Sequence, residues 1–408
     1  MPKITHRKKR LSSFKLIVLG FAGVIVLGAL ILMLPFSSTA GVVTPFHEAL
    51  FTSTSAVCVT GLVVQDTGSY WSAFGQTVIL LLIQIGGLVR LTRFIVRGTF
   101  LIELIGMIVM LPTFCGNYGI KGIWMAAFHS VSAFCNAGFD ILGTAENKYP
   151  SLTGYIGNPA INITIMLLII VGGIGFLTWD DIYTNKWHFK KYLMQSKVIL
   201  VTTAILIIAP AVFFFFCDFT GLPLDKRILA SLFQSVTPRT AGFNTADLPA
   251  MTGSSKAIMI LLMLVGGSPG STAGGMKTTT LAVLILSAFS VCRKKDDAEV
   301  CGRRIDGSAV KNAAAVAVMY FLLFFVGGIV ISTAEGLPLS TCLYETASAV
   351  GTVGLTLGIT PQLGVLSQLI LIVLMYLGRV GGLTLIYAAV SNKNHSGAKL
   401  PLEKITVG

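Results

Sequence analysis

Long apolar stretches alternate along the chain with shorter amphipathic ones. Runs long enough to cross the ~30 Å hydrocarbon layer of a bilayer occupy residues 14–35, 157–178, 197–217, 308–333 and 364–390. Shorter or interrupted runs lie at 75–88, 99–114 and 257–291. Between the members of each pair lies an amphipathic stretch of about ten residues, too short to span, which favours a re-entrant half-helix and a loop.

This pattern predicts an all-α polytopic membrane protein built from four units of helix, half-helix, loop and helix around a central pore. The expected units are residues 14–88, 89–180, 197–291 and 308–390. A tail on the cytosolic side is expected at 391–408.

Each amphipathic stretch leads to a glycine through the same short approach sequence. Residues 51–61, 128–138 and 344–354 share one template: aromatic, x, Ser/Thr, x, Ser-Ala, Val/Phe, x, x, x, Gly. A fourth copy at 233–242 is one residue shorter. Repeats of one unit usually build one object together, and a ring of backbone carbonyls can replace the water shell of an ion. Glycines that merely permit tight helix packing are the alternative, but four copies in register favour an ion filter.

The predicted filter has four segments, each ending at the template glycine. Their residues are Val59, Thr60 and Gly61; Asn136, Ala137 and Gly138; Thr240, Ala241 and Gly242; and Thr352, Val353 and Gly354. Glycine turns its carbonyl inward at backbone angles that other residues avoid, so K⁺ is expected at the carbonyls of the four glycines. Half-helices that point their C-terminal ends at the pore axis would add partial negative charge.

A glycine-rich segment interrupts the apolar run at 257–291. Its glycines, a proline and a closing lysine cannot continue a regular helix, and unwound backbone at membrane depth is tolerated only where it lines water or is buried in protein. A flexible linker is the alternative, but the flanking apolar runs are too short to span alone. The segment is therefore predicted to lie in the pore below the filter, as a gate. The predicted gate residues are Gly266, Gly267, Ser268, Gly270, Gly274, Gly275, Lys277 and Arg379.

Arg379 is the charged residue inside the apolar run at 364–390. Burying an arginine there costs at least ~2.5 kcal/mol on insertion scales, so its side chain should face water or an acidic partner. Either it lines the pore or it snorkels to the cytosolic interface.

The composition agrees with a membrane protein, since 54% of residues are hydrophobic, 12% are charged and the mean hydropathy is +0.82. A net charge of +13 could suggest a nucleic-acid partner. Most of the Lys and Arg residues instead cluster at one side of the predicted spans, as the positive-inside rule describes for a protein with both termini in the cytosol. These clusters occupy 3–15, 90–97, 186–197, 293–311 and 393–404. The expected surroundings are the lipid bilayer, without nucleic acid.

The sequence gives little support to an enzyme. The seven cysteines and five histidines show no disulfide or metal-binding spacing. Ser268 and Ser271 lie near glycines, but no His or Asp partner occurs at membrane depth. A secondary transporter with broken helices remains an alternative, although it would show two halves instead of four filter-like units.

The ordered set of four glycine motifs resembles the membrane subunit of the Trk/Ktr/HKT superfamily of potassium and sodium transporters. The resemblance runs from about residue 14 to the C-terminus and is closer to the Ktr type, because two extra N-terminal helices are missing. It implies potassium uptake across the plasma (bacterial inner) membrane through a four-unit pore, usually in a homodimer. Related sodium-preferring members carry serine in the first filter segment, so glycine in every unit favours potassium. A transporter of sodium, or one that does not discriminate between monovalent cations, remains an alternative interpretation.

The resemblance also implies a role for the gate and a partner. In this family the glycine-rich segment is an intramembrane gating loop, and the arginine lies below the filter. A cytosolic ring of Rossmann-type subunits carries the regulatory nucleotide, so no cofactor is expected on this chain. The basic residues expected to contact that ring are Arg293, Lys294, Lys295, Arg303 and Arg304. The chain departs from the family at 88–97, where relatives carry a further stretch of helix and a cytosolic loop.

Overall fold

The computed structural model describes residues 13–87, 93–186, 188–295 and 297–381. Within these ranges the chain forms fourteen α-helices and one two-stranded antiparallel hairpin. The first half contains α1 (Ser13–Leu32), α2 (Phe46–Val57), α3 (Ala73–Gly87), α4 (Arg93–Tyr118), α5 (Lys121–Phe134), α6 (Pro159–Gly173) and α7 (Phe176–Asn185). The second half contains α8 (Met194–Cys217), α9 (Leu224–Val236), α10 (Gly253–Leu264), α11 (Thr278–Cys292), β1 (Glu299–Val300), β2 (Arg303–Arg304), α12 (Gly307–Glu335), α13 (Leu339–Gly351) and α14 (Val365–Val380).

Four helices are long and apolar enough to cross a membrane, judged by length and composition of the described residues: α1, α4, α8 and α12. Each is followed by a short helix that ends just before a predicted filter segment, and then by a shorter apolar helix. The predicted all-α architecture is confirmed. The unit boundaries stay predictions, and the tail at 391–408 lies outside the described residues.

The short helices α2, α5, α9 and α13 are held in place by the template residues themselves. Their aromatic residues Phe51, Phe128, Phe233 and Tyr344 are fully buried. The Ser or Thr two positions later donates a hydrogen bond to a main-chain carbonyl of the preceding long helix. These bonds are Ser53 to Ile25 (2.7 Å), Ser130 to Glu103 (2.5 Å), Ser235 to Ile207 (2.5 Å) and Thr346 to Phe324 (3.0 Å). The repeat in sequence is therefore a repeat in structure.

The helices that close three of the units approach the short helices through glycine. A Cβ added at Gly86, Gly172 or Gly378 would lie 2.0, 2.0 and 2.1 Å from the carbonyl oxygens of Val57, Phe134 and Val350, respectively. Any larger residue would push the two helices apart, because backbone cannot yield as a flexible side chain does. This contact was not predicted from the sequence, although paired glycines at 86–87 and 172–173 were a visible signal.

The second unit differs from the continuous span expected at 157–178. α6 ends at Gly173 and α7 begins at Phe176 after a bend of 96°. Gly175 forms the bend with a φ of +92°, in the left-handed region that favours glycine. The prediction of an unbroken helix was wrong because apolar character alone does not show where the helix axis turns. The glycine-rich segment contacts the chain at this bend, where the Phe176 amide donates a hydrogen bond to the Gly270 carbonyl oxygen at 2.9 Å.

Candidate functional site

The four template glycines lie around a closed ring. A Cβ at Gly61 would lie 2.3 Å from the Ala137 carbonyl oxygen, and one at Gly138 would lie 2.5 Å from that of Ala241. A Cβ at Gly242 would lie 2.4 Å from the Val353 carbonyl oxygen, and one at Gly354 would lie 2.1 Å from the Thr60 carbonyl oxygen. Each glycine thus contacts the segment of the next unit, and the fourth returns to the first. We call these four residues the glycine ring.

The backbone of all four segments takes the same unusual course. The ring glycines have φ values of +88°, +70°, +82° and +95° in chain order. Two residues earlier, Val59, Asn136, Thr240 and Thr352 also have positive φ, between +52° and +66°. Asparagine tolerates such angles, but the β-branched Val59, Thr240 and Thr352 adopt them only where the surrounding structure imposes them, and such residues cluster at functional sites. The fourfold repetition indicates that the segments are shaped for a common task.

A second template hydroxyl holds each segment against its own short helix. The Gly61 and Gly354 amides donate to the Ser55 and Ser348 hydroxyls at 3.1 and 3.0 Å. In the other two units the hydroxyl donates instead, from Ser132 to the Phe139 carbonyl at 2.8 Å and from Thr237 to the Phe243 carbonyl. The Ser or Thr at this template position therefore fixes the backbone of each segment.

The electrostatics at the ring favour a cation. The four short helices end within four residues of the start of the segments, so the partial negative charge of their C-terminal ends lies close to them. A cavity of about 220 Å³ is lined by all four ring glycines and by the carboxyl residues Asp66 and Asp140. Asp66 is held in place by the amides of Ser69 at 2.8 Å and Tyr149 at 2.9 Å. The ring is thus reached from a space with acidic walls.

The glycine-rich segment lies against the opposite end of the filter segments. We call residues 265–277, which connect α10 to α11, the intramembrane loop. A Cβ at Gly274 would lie 2.0 Å from the Thr352 hydroxyl, and one at Gly266 would lie 3.1 Å from Cγ2 of Thr240. The loop is also tied to the end of α6, where the Ser268 amide donates to the Gly173 carbonyl at 2.9 Å. It therefore fills the space beneath the third and fourth filter segments.

The two predicted basic gate residues both contact this loop. The Arg379 guanidinium donates to the carbonyl oxygens of Thr272 and of Gly86 in α3. Lys277 Nζ donates to the Ala273 carbonyl at 2.7 Å. Arg379 is thus bound to main-chain groups of the loop and of α3. Most predicted gate glycines are buried, but Gly270 is exposed at the tip of the loop.

Gln84 and Cys135, to which the sequence assigned no functional role, join the units behind the ring together with Glu103. Gln84 Nε2 donates to the Glu103 carboxylate at 3.2 Å, and the Cys135 thiol donates to Gln84 Oε1 at 3.2 Å. The Thr272 carbonyl accepts a hydrogen bond from Arg379, but Thr272 was not among the predicted gate residues. Such contacts join residues far apart in the chain, so no local sequence motif indicates them.

Comparison with known proteins identifies the family. The sequence matches the TrkH family, described as cation transport protein, over residues 83–396. The chain belongs to the TrkH cation transport family. It is 37% identical to the potassium/sodium uptake protein NtpJ of Enterococcus hirae, over 98% of each chain. It is 34% identical to the Ktr system potassium uptake protein B of Bacillus subtilis, over 92% of each chain.

The fold of this TrkH-family chain is similar to the crystal structure of the potassium transporter TrkH from Vibrio parahaemolyticus. The TM-score is 0.75, with 21% identity over 95% of this chain and 87% of that chain. At that identity the likeness shows the fold alone. The predicted relation to the Trk/Ktr group is confirmed, and a family member with four long apolar helices is a multi-pass membrane protein. The alignment with NtpJ runs over 450 positions, more than the 408 residues of this chain, so NtpJ contains residues without a counterpart here.

Proposed function

We propose that this chain is the membrane subunit of a potassium uptake system and conducts K⁺ through the glycine ring. The observation that carries the proposal is the closure of the ring, in which Gly61, Gly138, Gly242 and Gly354 each contact the segment of the next unit. Four backbone segments with one geometry around one axis present carbonyl oxygens to the same ion. The relatives named above are uptake proteins for potassium, or for potassium and sodium.

Selection of K⁺ over Na⁺ depends on the number and placement of the carbonyl oxygens. The template hydroxyls and the left-handed backbone hold the segments, so the oxygens cannot easily close in around the smaller ion. The C-terminal ends of the four short helices lower the cost of bringing a bare cation to the ring. Because the filter has few ion-binding sites in series, K⁺ binding is weak enough to permit release of the ion and rapid flux.

The intramembrane loop and Arg379 form the proposed gate. The loop lies across the inner end of the third and fourth filter segments, and its glycines permit rearrangement. The guanidinium places a positive charge beside it, in a narrow region of low dielectric where charges repel cations strongly. Opening then requires Arg379 to release the Thr272 and Gly86 carbonyls and the Gly274 end of the loop to move away from Thr352.

Regulation is proposed to come from a partner that carries the nucleotide. Several relatives are named as protein B or D of a Ktr system, which implies more than one component. A cytosolic ring of Rossmann-type subunits would meet the hairpin β1–β2, where Arg303 and Arg304 are exposed. Arg304 pairs with Asp297 at 2.9 Å and Lys295 with Glu299 at 2.6 Å. These exposed ion pairs are weak, so a partner's acidic groups can replace them.

The proposed assembly is a homodimer in the plasma (bacterial inner) membrane with both termini in the cytosol. The orientation rests on the basic clusters counted along the sequence. The clusters at 3–15 and 393–404 lie wholly or largely outside the described residues.

Uptake by the purified protein in liposomes tests the proposed function. We expect K⁺ and Rb⁺ to compete for uptake, Na⁺ to compete poorly, and flux to follow an imposed voltage. Equal competition by Na⁺ would assign the chain to sodium or non-selective transport. Flux that requires a second ion at a fixed ratio and ignores voltage would assign it to secondary transporters.

A further inference from the structure

Thr272 joins the intramembrane loop to the second filter segment. Its side chain is fully buried, and its hydroxyl oxygen lies 3.1 Å from the Phe134 carbonyl oxygen and 3.4 Å from the Asn136 side-chain amide. Phe134 is the last residue of α5, and Asn136 is the first residue of the second filter segment. The same hydroxyl lies 3.0 Å from the Gly172 carbonyl oxygen. One loop side chain therefore contacts both the filter and the end of α6.

Asn136 extends this connection to the third unit. With its amide nitrogen donating to the Phe134 and Ile169 carbonyls at 3.2 and 3.3 Å, its side-chain oxygen lies 3.4 Å from the Thr240 hydroxyl. Asn136 also has a φ of +58°, an angle that asparagine tolerates better than most residues. The contacts of its side chain, that with the loop among them, therefore help to select this conformation of the second segment.

The loop touches the fourth filter segment in a different way. Gly274 packs against Thr352, whose hydroxyl has no hydrogen-bond partner among the residues that the structure describes. Contact of this kind blocks space but does not hold a segment in one orientation. The hydroxyl of Thr272 is therefore placed to transmit the position of the loop to the filter, while its carbonyl is held by Arg379.

We infer that Thr272 is a positioning residue that couples the gate to ion selection, so that ion preference depends on the position of the loop. The inference rests on the proposed function. When the Thr272 hydroxyl moves away, Asn136 loses one of its contacts and the second segment relaxes towards other backbone angles. By thermodynamic reciprocity, the ion that occupies the filter then biases the position of the loop.

Ion competition in liposomes tests the coupling with matched variants. Thr272→Val keeps the shape of the side chain and removes the hydroxyl, Thr272→Ser keeps the hydroxyl, and Thr280→Val makes the same change in the first turn of α11, beyond the loop. We expect Thr272→Val to lower K⁺ over Na⁺ discrimination by about three- to tenfold, the ratio that corresponds to one net hydrogen bond. Thr272→Ser and Thr280→Val should keep the wild-type ratio. A wild-type ratio in Thr272→Val would overturn the inference and leave the proposed function intact.

Thiol modification tests the reciprocal effect without depending on the flux of the variants. Ser271 lies at the partly exposed tip of the loop, so Ser271→Cys reports loop position, with the parent chain measured alongside because it has exposed cysteines. We expect modification rates that differ at least severalfold between K⁺ and Na⁺, and a difference that disappears when Thr272→Val is added. Equal rates in both ions, or an undiminished difference in the double variant, would overturn the coupling. A wild-type protein that does not discriminate K⁺ from Na⁺ would overturn the proposed function and the coupling together.

Discussion

Arg379 donates a hydrogen bond to the main-chain carbonyl of Thr272, which ties the last described helix, α14, to the intramembrane loop. A second bond from the same guanidinium reaches the Gly86 carbonyl in α3. One side chain thus joins the first unit, the loop and the fourth unit. Because these acceptors are main-chain carbonyls instead of carboxylates, its positive charge is not neutralised by them and remains available to repel cations.

Arg379→Ala should increase K⁺ flux through the purified protein severalfold, because it removes both the charge and the two bonds that hold the loop. Arg379→Lys provides the control, since lysine keeps the charge but cannot present the planar fork that reaches two carbonyls. We expect an intermediate flux for the lysine variant. The measurement is K⁺ uptake into liposomes at equal protein incorporation, and wild-type flux in Arg379→Ala would show that the barrier lies elsewhere.

Deleting residues 268–274 should also raise K⁺ flux and weaken its dependence on the regulatory partner. The deletion removes the part of the loop that packs against Thr352 and that Arg379 holds. Uptake should be measured with and without the partner. If the deleted protein inserts normally and conducts at the wild-type rate, the interrupted helix is a packing device and the gate assignment fails.

Gly172→Ala should disrupt the second unit, because its Cβ would lie 2.0 Å from the Phe134 carbonyl oxygen. Overpacking of this kind typically costs about 1–3 kcal/mol. Gly154→Ala is the matched control, since nothing lies within 4 Å of a Cβ there. Thermal unfolding in detergent should show a lowered midpoint for Gly172→Ala and an unchanged one for Gly154→Ala. Equal midpoints would mean that α6 does not depend on this close approach.

The sequence predicted the repeated parts of this molecule better than the contacts between them. The four glycines and their approach template were visible because one spacing recurs, and the structure brings Gly61, Gly138, Gly242 and Gly354 into one ring. The bend at Gly175 was missed because the run at 157–178 is uniformly apolar. The Thr272 contacts were missed because they depend on how distant segments pack, and residue type alone left Arg379 with two possible positions.

The purified chain alone should not bind ATP or NAD tightly, since the proposed nucleotide control belongs to a partner. Direct binding measurements on the detergent-solubilised protein, with and without the regulatory subunit, check this expectation. Nucleotide-dependent flux in liposomes that contain only this chain would assign the regulatory site to the chain itself.

The K⁺/Na⁺ uptake ratio of Gly61→Ser tests the glycine ring most directly. Gly61 has a φ of +88°, and a Cβ there would lie 2.3 Å from the Ala137 carbonyl oxygen, so serine must displace that carbonyl from the ring. Gly41→Ser is the matched control, because Gly41 also has a positive φ of +68° but nothing lies within 4 Å of a Cβ. We predict that Gly61→Ser lowers the ratio by about tenfold, equivalent to ~1.4 kcal/mol, while Gly41→Ser keeps the wild-type ratio. A folded Gly61→Ser protein with an unchanged ratio would contradict the assignment of the ring as the selectivity filter.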